Sequence, residues 1–206
     1  MKTGISCVLG LLLVALHAHV TAATPVQATE QAAARKAVEL CSACHGPGGV
    51  SISPTFPQLA GQQEEYLQSQ MEALKARKRA DPDAHDFMWG IAALLDDKMI
   101  AGLAHYYASQ SPPRGQPGDP ALTAKGKELY DKGNPSKNIP ACNSCHGADA
   151  AGMGQFPRLA GQHAAYTVKQ LTVIQSALRA APVMHGIVKD MSKEEMAAVA
   201  AYLQSR

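Results

Sequence analysis

Bulky aromatic side chains are scarce in this chain: its 206 residues include one Trp and three Phe. A core made only from its own side chains would lack the large planar groups that commonly fill protein interiors. A planar cofactor would supply that volume. Long apolar runs are missing beyond the N-terminus, which excludes a multi-span membrane protein. No charge of one sign dominates. The formal net charge of +2 gives no field that would recommend nucleic acid or an anionic membrane as partner. Cysteine is limited to five residues: Cys7 and two tight pairs, so none is left for a bridge between distant segments.

The N-terminus reads as a leader. Lys2 gives a short basic region, Val8 to Leu16 a compact apolar run, and Thr21-Ala22-Ala23 a small-residue cleavage site. The run is too short to span a bilayer, and the pattern is that of a secretory signal peptide over residues 1–23. Its removal takes away Cys7 and lowers the formal charge to about +1. Export leads to a compartment where disulfides form, in a bacterium the periplasm. Yet all four remaining cysteines lie in two Cys-x-x-Cys-His motifs: Cys41-Ser42-Ala43-Cys44-His45 and Cys142-Asn143-Ser144-Cys145-His146.

Around those motifs the chain repeats itself. Phe56-Pro57-Gln58-Leu59-Ala60-Gly61-Gln62 returns 100 positions later as Phe156-Pro157-Arg158-Leu159-Ala160-Gly161-Gln162. At the same offset Tyr66 meets Tyr166, Gln70 meets Gln170 and Arg79 meets Arg179; at an offset of 96, Met88 meets Met184. Such self-similarity marks one structural unit used twice. The Pro- and Gly-rich stretch between the copies cannot continue a helix. The expected organisation is residues 24–110, a linker 111–119, and residues 120–206.

Apolar residues at helical spacing predict helices over Glu64–Arg77 and Asp96–Ala108 in the first copy, and over Thr123–Tyr130, Ala164–Leu178 and Ser192–Leu203 in the second. An Ala-rich helix over Glu30–Leu40 runs into the first motif. Asp96 and Ser192 are plausible N-caps. No alternating strand pattern is evident, so the predicted fold is all-α, with a few helices around one cofactor in each copy.

The motif carries the chemistry. Two thiols three positions apart reach the two vinyl groups on one porphyrin edge and form thioethers, and the next residue, His, lies under the iron. This is the c-type haem attachment pattern. Dithiol redox and zinc binding use similar spacing, but two copies inside a duplication favour two haem c groups. Cys41, Cys44, Cys142 and Cys145 would hold them, with His45 and His146 as axial ligands. Methionine is a common sixth ligand and raises the potential. Met88 and Met184 qualify because they alone among the methionines match in the repeat; the bland alternative is flexible core filler. The free ring N–H of each proximal His should donate to a backbone carbonyl. Arg79 and Arg179 are either propionate donors or exposed arginines at helix ends. Tyr66 and Tyr166 are either core aromatics or propionate or interface donors. His85, His105 and His163 read as solvated or loop residues.

With both motifs, both Phe-Pro-x-Leu-Ala-Gly-Gln segments, the tyrosines and the paired methionines on the page, the chain resembles the cytochrome c4 family. The resemblance implies two class I cytochrome c domains related by a pseudo-two-fold axis, with His/Met haems close enough to exchange electrons. It also implies delivery to a haem–copper terminal oxidase, with a quinol-oxidising complex or a dehydrogenase upstream. One departure is the Lys132–Ile139 insertion, which the first half lacks. Three functions compete: a mobile electron carrier, the haem subunit of a periplasmic dehydrogenase (flavocytochrome or alcohol dehydrogenase type), and a catalytic di-haem enzyme. The last is disfavoured, because no spare cysteine exists as an iron ligand and paired Met would close both irons.

Overall fold

The computed structural model describes residues 36–206. The expected signal peptide, and the start of the Ala-rich helix, lie outside the described residues. Helical residues 36–45, here α1, contain the first motif. They are followed by α2 (Glu64–Lys75), a π-turn (Ala84–Met88), α3 (Trp89–Ala92) and α4 (Asp97–Ala108). The second half holds α5 (Pro120–Lys132), α6 (Asn143–His146), α7 (Ala164–Gln175), α8 (Pro182–Val188) and α9 (Lys193–Gln204). The fold is all-α; among the described residues the only β pairings are isolated bridges.

Local chemistry explains most boundaries. Asp96 accepts from the Met99 amide at 2.8 Å and caps α4. Ser192 and Glu195 form a capping box at the start of α9. Asp119 caps α5 and Pro120 takes its first position, where a missing N–H costs nothing. That helix therefore starts three residues before the expected Thr123. In contrast α2 and α7 stop short of the expected Arg77 and Leu178. Arg77 (φ 55°) and Ala177 (φ 59°) take the left-handed conformation, which ends each helix and turns the chain toward the other half. The Met-bearing segments also form short helical pieces, beyond the main helices that periodicity showed. The Lys132–Ile139 insertion is a clip: Asn134 and Ile139 pair as a bridge, and Lys137 and Asn134 bind Glu195.

Each half has its own core. In the second, α5 crosses α9 so closely that a Cβ on Gly126 would lie 1.9 Å from the Ala198 carbonyl oxygen. Leu129, Tyr130, Ile174, Val188, Met196, Val199 and Leu203 bury their side chains there. In the first, Ala37, Leu67, Ile100, Leu103, Ala104 and Tyr107 form the matching cluster between α1, α2 and α4. Burying each aliphatic side chain of the Leu or Ile kind contributes about 1.5–3 kcal/mol.

The halves meet through a pseudo-symmetric set of hydrogen bonds. Gln62 donates to the Arg158 carbonyl at 2.9 Å and accepts from its amide at 2.7 Å. Gln162 does the same to Gln58, at 3.1 and 2.9 Å. Gln63 donates to the Ala151 carbonyl at 2.8 Å, and its counterpart His163 places Nε2 3.0 Å from both the Ser51 carbonyl oxygen and the Gln58 amide nitrogen. His163 lies in the loop before α7, as expected, but the solvated reading is corrected: it is 7% exposed, with its ring against Ser51 and Gln58 of the other half. Arg79 and Arg179 pair with each other as an antiparallel bridge, and a residue meeting its own repeat counterpart lies on a two-fold axis.

Candidate functional site

The two motifs end their helices with the same geometry. His45 and His146 are buried, 7% and 5% exposed. The Nδ1 of His45 lies 3.0 Å from the Pro57 carbonyl oxygen, and that of His146 lies 3.1 Å from the Pro157 oxygen. A carbonyl only accepts, so Nδ1 carries the proton and Nε2 keeps its lone pair for a metal. Burial lowers the pKa of both rings and the carbonyl bond only partly offsets it, which favours the neutral imidazole. None of the four motif cysteines is paired in a disulfide. In the polypeptide before haem attachment, burial raises the Cys41 pKa and pushes that of Cys142 up to about 11.

Aromatic contacts differ between the sites. Phe56 packs edge-on to His45 with centroids 6.1 Å apart, and edge-on to Phe87 at 5.4 Å. These contacts join His45 to the turn that bears Met88. In the second half Phe156 contacts His146 at 6.4 Å, but the residue before Met184 is Val183 and the aromatic link stops. Met88 and Met184 are partly buried against the apolar clusters of their own halves.

The arginine pair does not lie at exposed helix ends. Arg79 and Arg179 are 9% and 6% exposed, which corrects that alternative: the left-handed turns after α2 and α7 fold both inward. Arg79 binds Asp81 through Nε at 3.1 Å, and Asp81 is 1% exposed. Both guanidiniums donate to Gln170. Arg179 also donates to Gln70 at 2.6 Å and to the Tyr66 hydroxyl at 2.5 Å. Burial raises the Tyr166 phenol, against the pull of Arg179 and Arg79. Tyr66 and Tyr166 are thus interface groups. Two buried guanidiniums against one buried carboxylate leave a positive excess, and uncompensated buried charge is costly.

These residues fit two covalent haems. Each half offers two thiols, one neutral imidazole with a free Nε2 and a Met at the matching position. The positive excess of Arg79 and Arg179 suits propionates. So does Arg158, whose Nε is buried with no partner and whose pKa is lowered by burial. Sequence reasoning missed Arg158, because its counterpart Gln58 is neutral and the difference looked like ordinary repeat drift. It also missed Gln62, Gln162 and Asp81, although the exact repetition of the glutamines was the available signal.

The Cytochrome c family profile matches residues 31–111 and again 123–206. The chain belongs to the cytochrome c4 family. It is 43% identical over 190 residues to cytochrome c4 of Thiocapsa roseopersicina, covering 89% of this chain and 95% of that one. A solved cytochrome c4 from Acidithiobacillus ferrooxidans superposes with a TM-score of 0.77 at 40% identity, covering 81% of this chain and 98% of that one. The "Thiosulfate dehydrogenase electron acceptor" of Thiomonas intermedia is 36% identical over 185 residues, covering 85% of this chain and 82% of that one. Like other cytochromes c4, this chain is a two-haem-c electron-transfer protein and not an enzyme. Its two cytochrome c-like folds are the repeats read in the sequence.

Proposed function

We propose that this cytochrome c4 is a periplasmic electron carrier in a respiratory chain. It would accept electrons from a quinol-oxidising complex or a dehydrogenase and deliver them to a terminal oxidase. Domains 24–110 and 120–206, joined by the linker 111–119, each hold one haem: haem 1 at Cys41 and Cys44, haem 2 at Cys142 and Cys145. The iron axial ligands are His45 with Met88, and His146 with Met184. Arg79, Arg179, Tyr66 and Tyr166 shape the propionate side. When bound, each haem supplies a one-electron iron couple; the chain fixes two imidazoles and holds both sites in one two-fold unit.

The observation that carries this reading is the paired set of buried imidazoles, each with Nδ1 committed to a proline carbonyl and Nε2 free. Such sites sit on opposite sides of a hydrogen-bonded interface that favours one fixed haem arrangement. No helix among the described residues is long and apolar enough to cross a membrane.

The test uses fractionated cells and purified holoprotein. The carrier should be released with the periplasm, and its reduced form should be oxidised by membranes containing the terminal oxidase at a rate that depends on carrier concentration. A second reading is favoured by the Thiomonas relative: acceptor or subunit of a periplasmic dehydrogenase. Co-purification with a dehydrogenase subunit, and no turnover with oxidase membranes, would establish that one instead.

A further inference from the structure

Met88 and Met184 occupy matching repeat positions, yet the residues after them tie their turns to different parts of the molecule. Trp89 donates its indole N–H to the Arg79 carbonyl at 2.9 Å. His185 holds the equivalent place, and its Nδ1 donates to the Ile174 carbonyl at 2.9 Å. Ile174 belongs to α7, in the same half as Met184. Arg79 instead belongs to the interface. Its guanidinium reaches Gln170, its backbone pairs with Arg179, and the next amide, Ala80, donates to the Leu178 carbonyl at 2.8 Å. A continuous hydrogen-bonded path therefore runs from the second half, across the 79–80 peptide, through the indole, to the backbone of Met88. The indole is fixed in other ways too. It packs on Leu74, Ala84 and Ala92, with the Arg77 guanidinium 5.4 Å from its centroid and the His85 ring edge-on at 4.8 Å.

We infer that Trp89 is a positioning residue that couples the sixth ligand of haem 1 to the domain interface, whereas His185 positions the ligand of haem 2 from within its own half. The inference rests on Met88 and Met184 being the sixth ligands. Two turns with one ancestral role are thus anchored differently, and a disturbance of the interface reaches one iron and not the other. The coupling is carried by a contiguous chain of bonded groups, which is the physical form such coupling needs. A proposed ligand that leans on the interface is held only as firmly as the two halves are held together.

The test reads Fe–S(Met) bonding by its weak red-edge ferric absorption band, and ligand strength by displacement with imidazole. In Met184→Ala holoprotein the remaining band belongs to haem 1; in Met88→Ala holoprotein it belongs to haem 2. Trp89→Phe keeps the ring and removes the N–H. In the Met184→Ala background it should let imidazole displace methionine about fivefold to tenfold more readily, the effect of one lost hydrogen bond. In the Met88→Ala background it should change nothing. Trp89→His restores a ring N–H and should recover most of the loss. Gln170→Leu, made in the second half, should weaken the haem 1 ligand and add little once Trp89 is Phe, as expected of residues in one path.

An unchanged imidazole affinity at haem 1 in Trp89→Phe, with Met88→Ala still removing half the band, overturns the coupling and leaves the ligand assignment intact. A band that survives Met88→Ala whole overturns the assignment and the inference together. If Trp89→Phe does not fold with both haems, Gln170→Leu alone decides. A weakened haem 1 ligand supports the path, and a shift at haem 2 or at neither overturns it.

Discussion

Arg79 and Arg179 stand 100 positions apart in the chain and pair backbone to backbone as an antiparallel bridge, with their guanidiniums sharing Gln170. Two like charges meet in a buried place. The arrangement holds because Asp81 neutralises one of them and the remaining oxygens, from Gln170, Gln70 and Tyr66, accept hydrogen bonds from the other. The interface is therefore a charged network held under tight constraint, and its members should respond strongly to substitution.

Asp81→Ala should be among the most damaging changes in the first half. It leaves the Arg79 guanidinium without its carboxylate and the Ala84 amide without its acceptor. Removing one partner of a buried pair typically costs about 3–5 kcal/mol. Denaturant unfolding of the holoprotein checks this; a loss within experimental error would mean that the pair is solvated in solution.

Gln62 and Gln162 each clamp the backbone of the opposite half with one donated and one accepted hydrogen bond. Replacement by Ala should cost about 1–3 kcal/mol, since a buried amide and carbonyl are left unsatisfied. The two single variants should match each other, because the contacts are related by the pseudo-two-fold axis. Differential scanning calorimetry of both proteins makes the comparison.

Gly126→Ala should disrupt the second half specifically. The added methyl would meet the Ala198 backbone and the Tyr202 Cβ, which cannot yield as a flexible side-chain tip would. Overpacking of this kind costs about 1–3 kcal/mol or more. The variant should unfold at lower temperature, and α5–α9 amides should lose hydrogen-exchange protection ahead of those in α4.

Glu195 should set part of the acid sensitivity. Burial pushes its carboxyl up, but hydrogen bonds from Lys137, the Ser192 amide and Asn134 outweigh it and hold the pKa below the ordinary carboxylate range. A depressed folded-state pKa contributes stability above the unfolded-state pKa, and that stability is lost as pH falls through the folded value. Glu195→Gln should therefore be less stable than wild type at neutral pH, and the gap should close at acid pH. Unfolding titrations of both proteins across that range measure the gap.

The amino-acid sequence by itself determined what depends on neighbours in the chain. Thiols at positions 41, 44, 142 and 145, each pair followed by a His, form the pattern on which the proposed haem attachment rests, without reference to distant residues. Apolar periodicity and the caps at Asp96 and Ser192 specify helices for the same reason. Only the tertiary structure decided which side chains cross between halves. Partners such as Gln62 with Arg158, or His163 with Ser51, are separated by 96 and 112 positions, and no local pattern encodes that register. The left-handed turns at Arg77 and Ala177 were equally hidden, because neither is Gly or Asn, and they carry Arg79 and Arg179 into the interface, where the sequence left propionate contact and exposed helix ends both open. The anchoring of Trp89 to Arg79 follows from that displacement. A matched pair of methionines is visible in the repeat, but the different groups that hold their turns exist only once both halves have folded against each other.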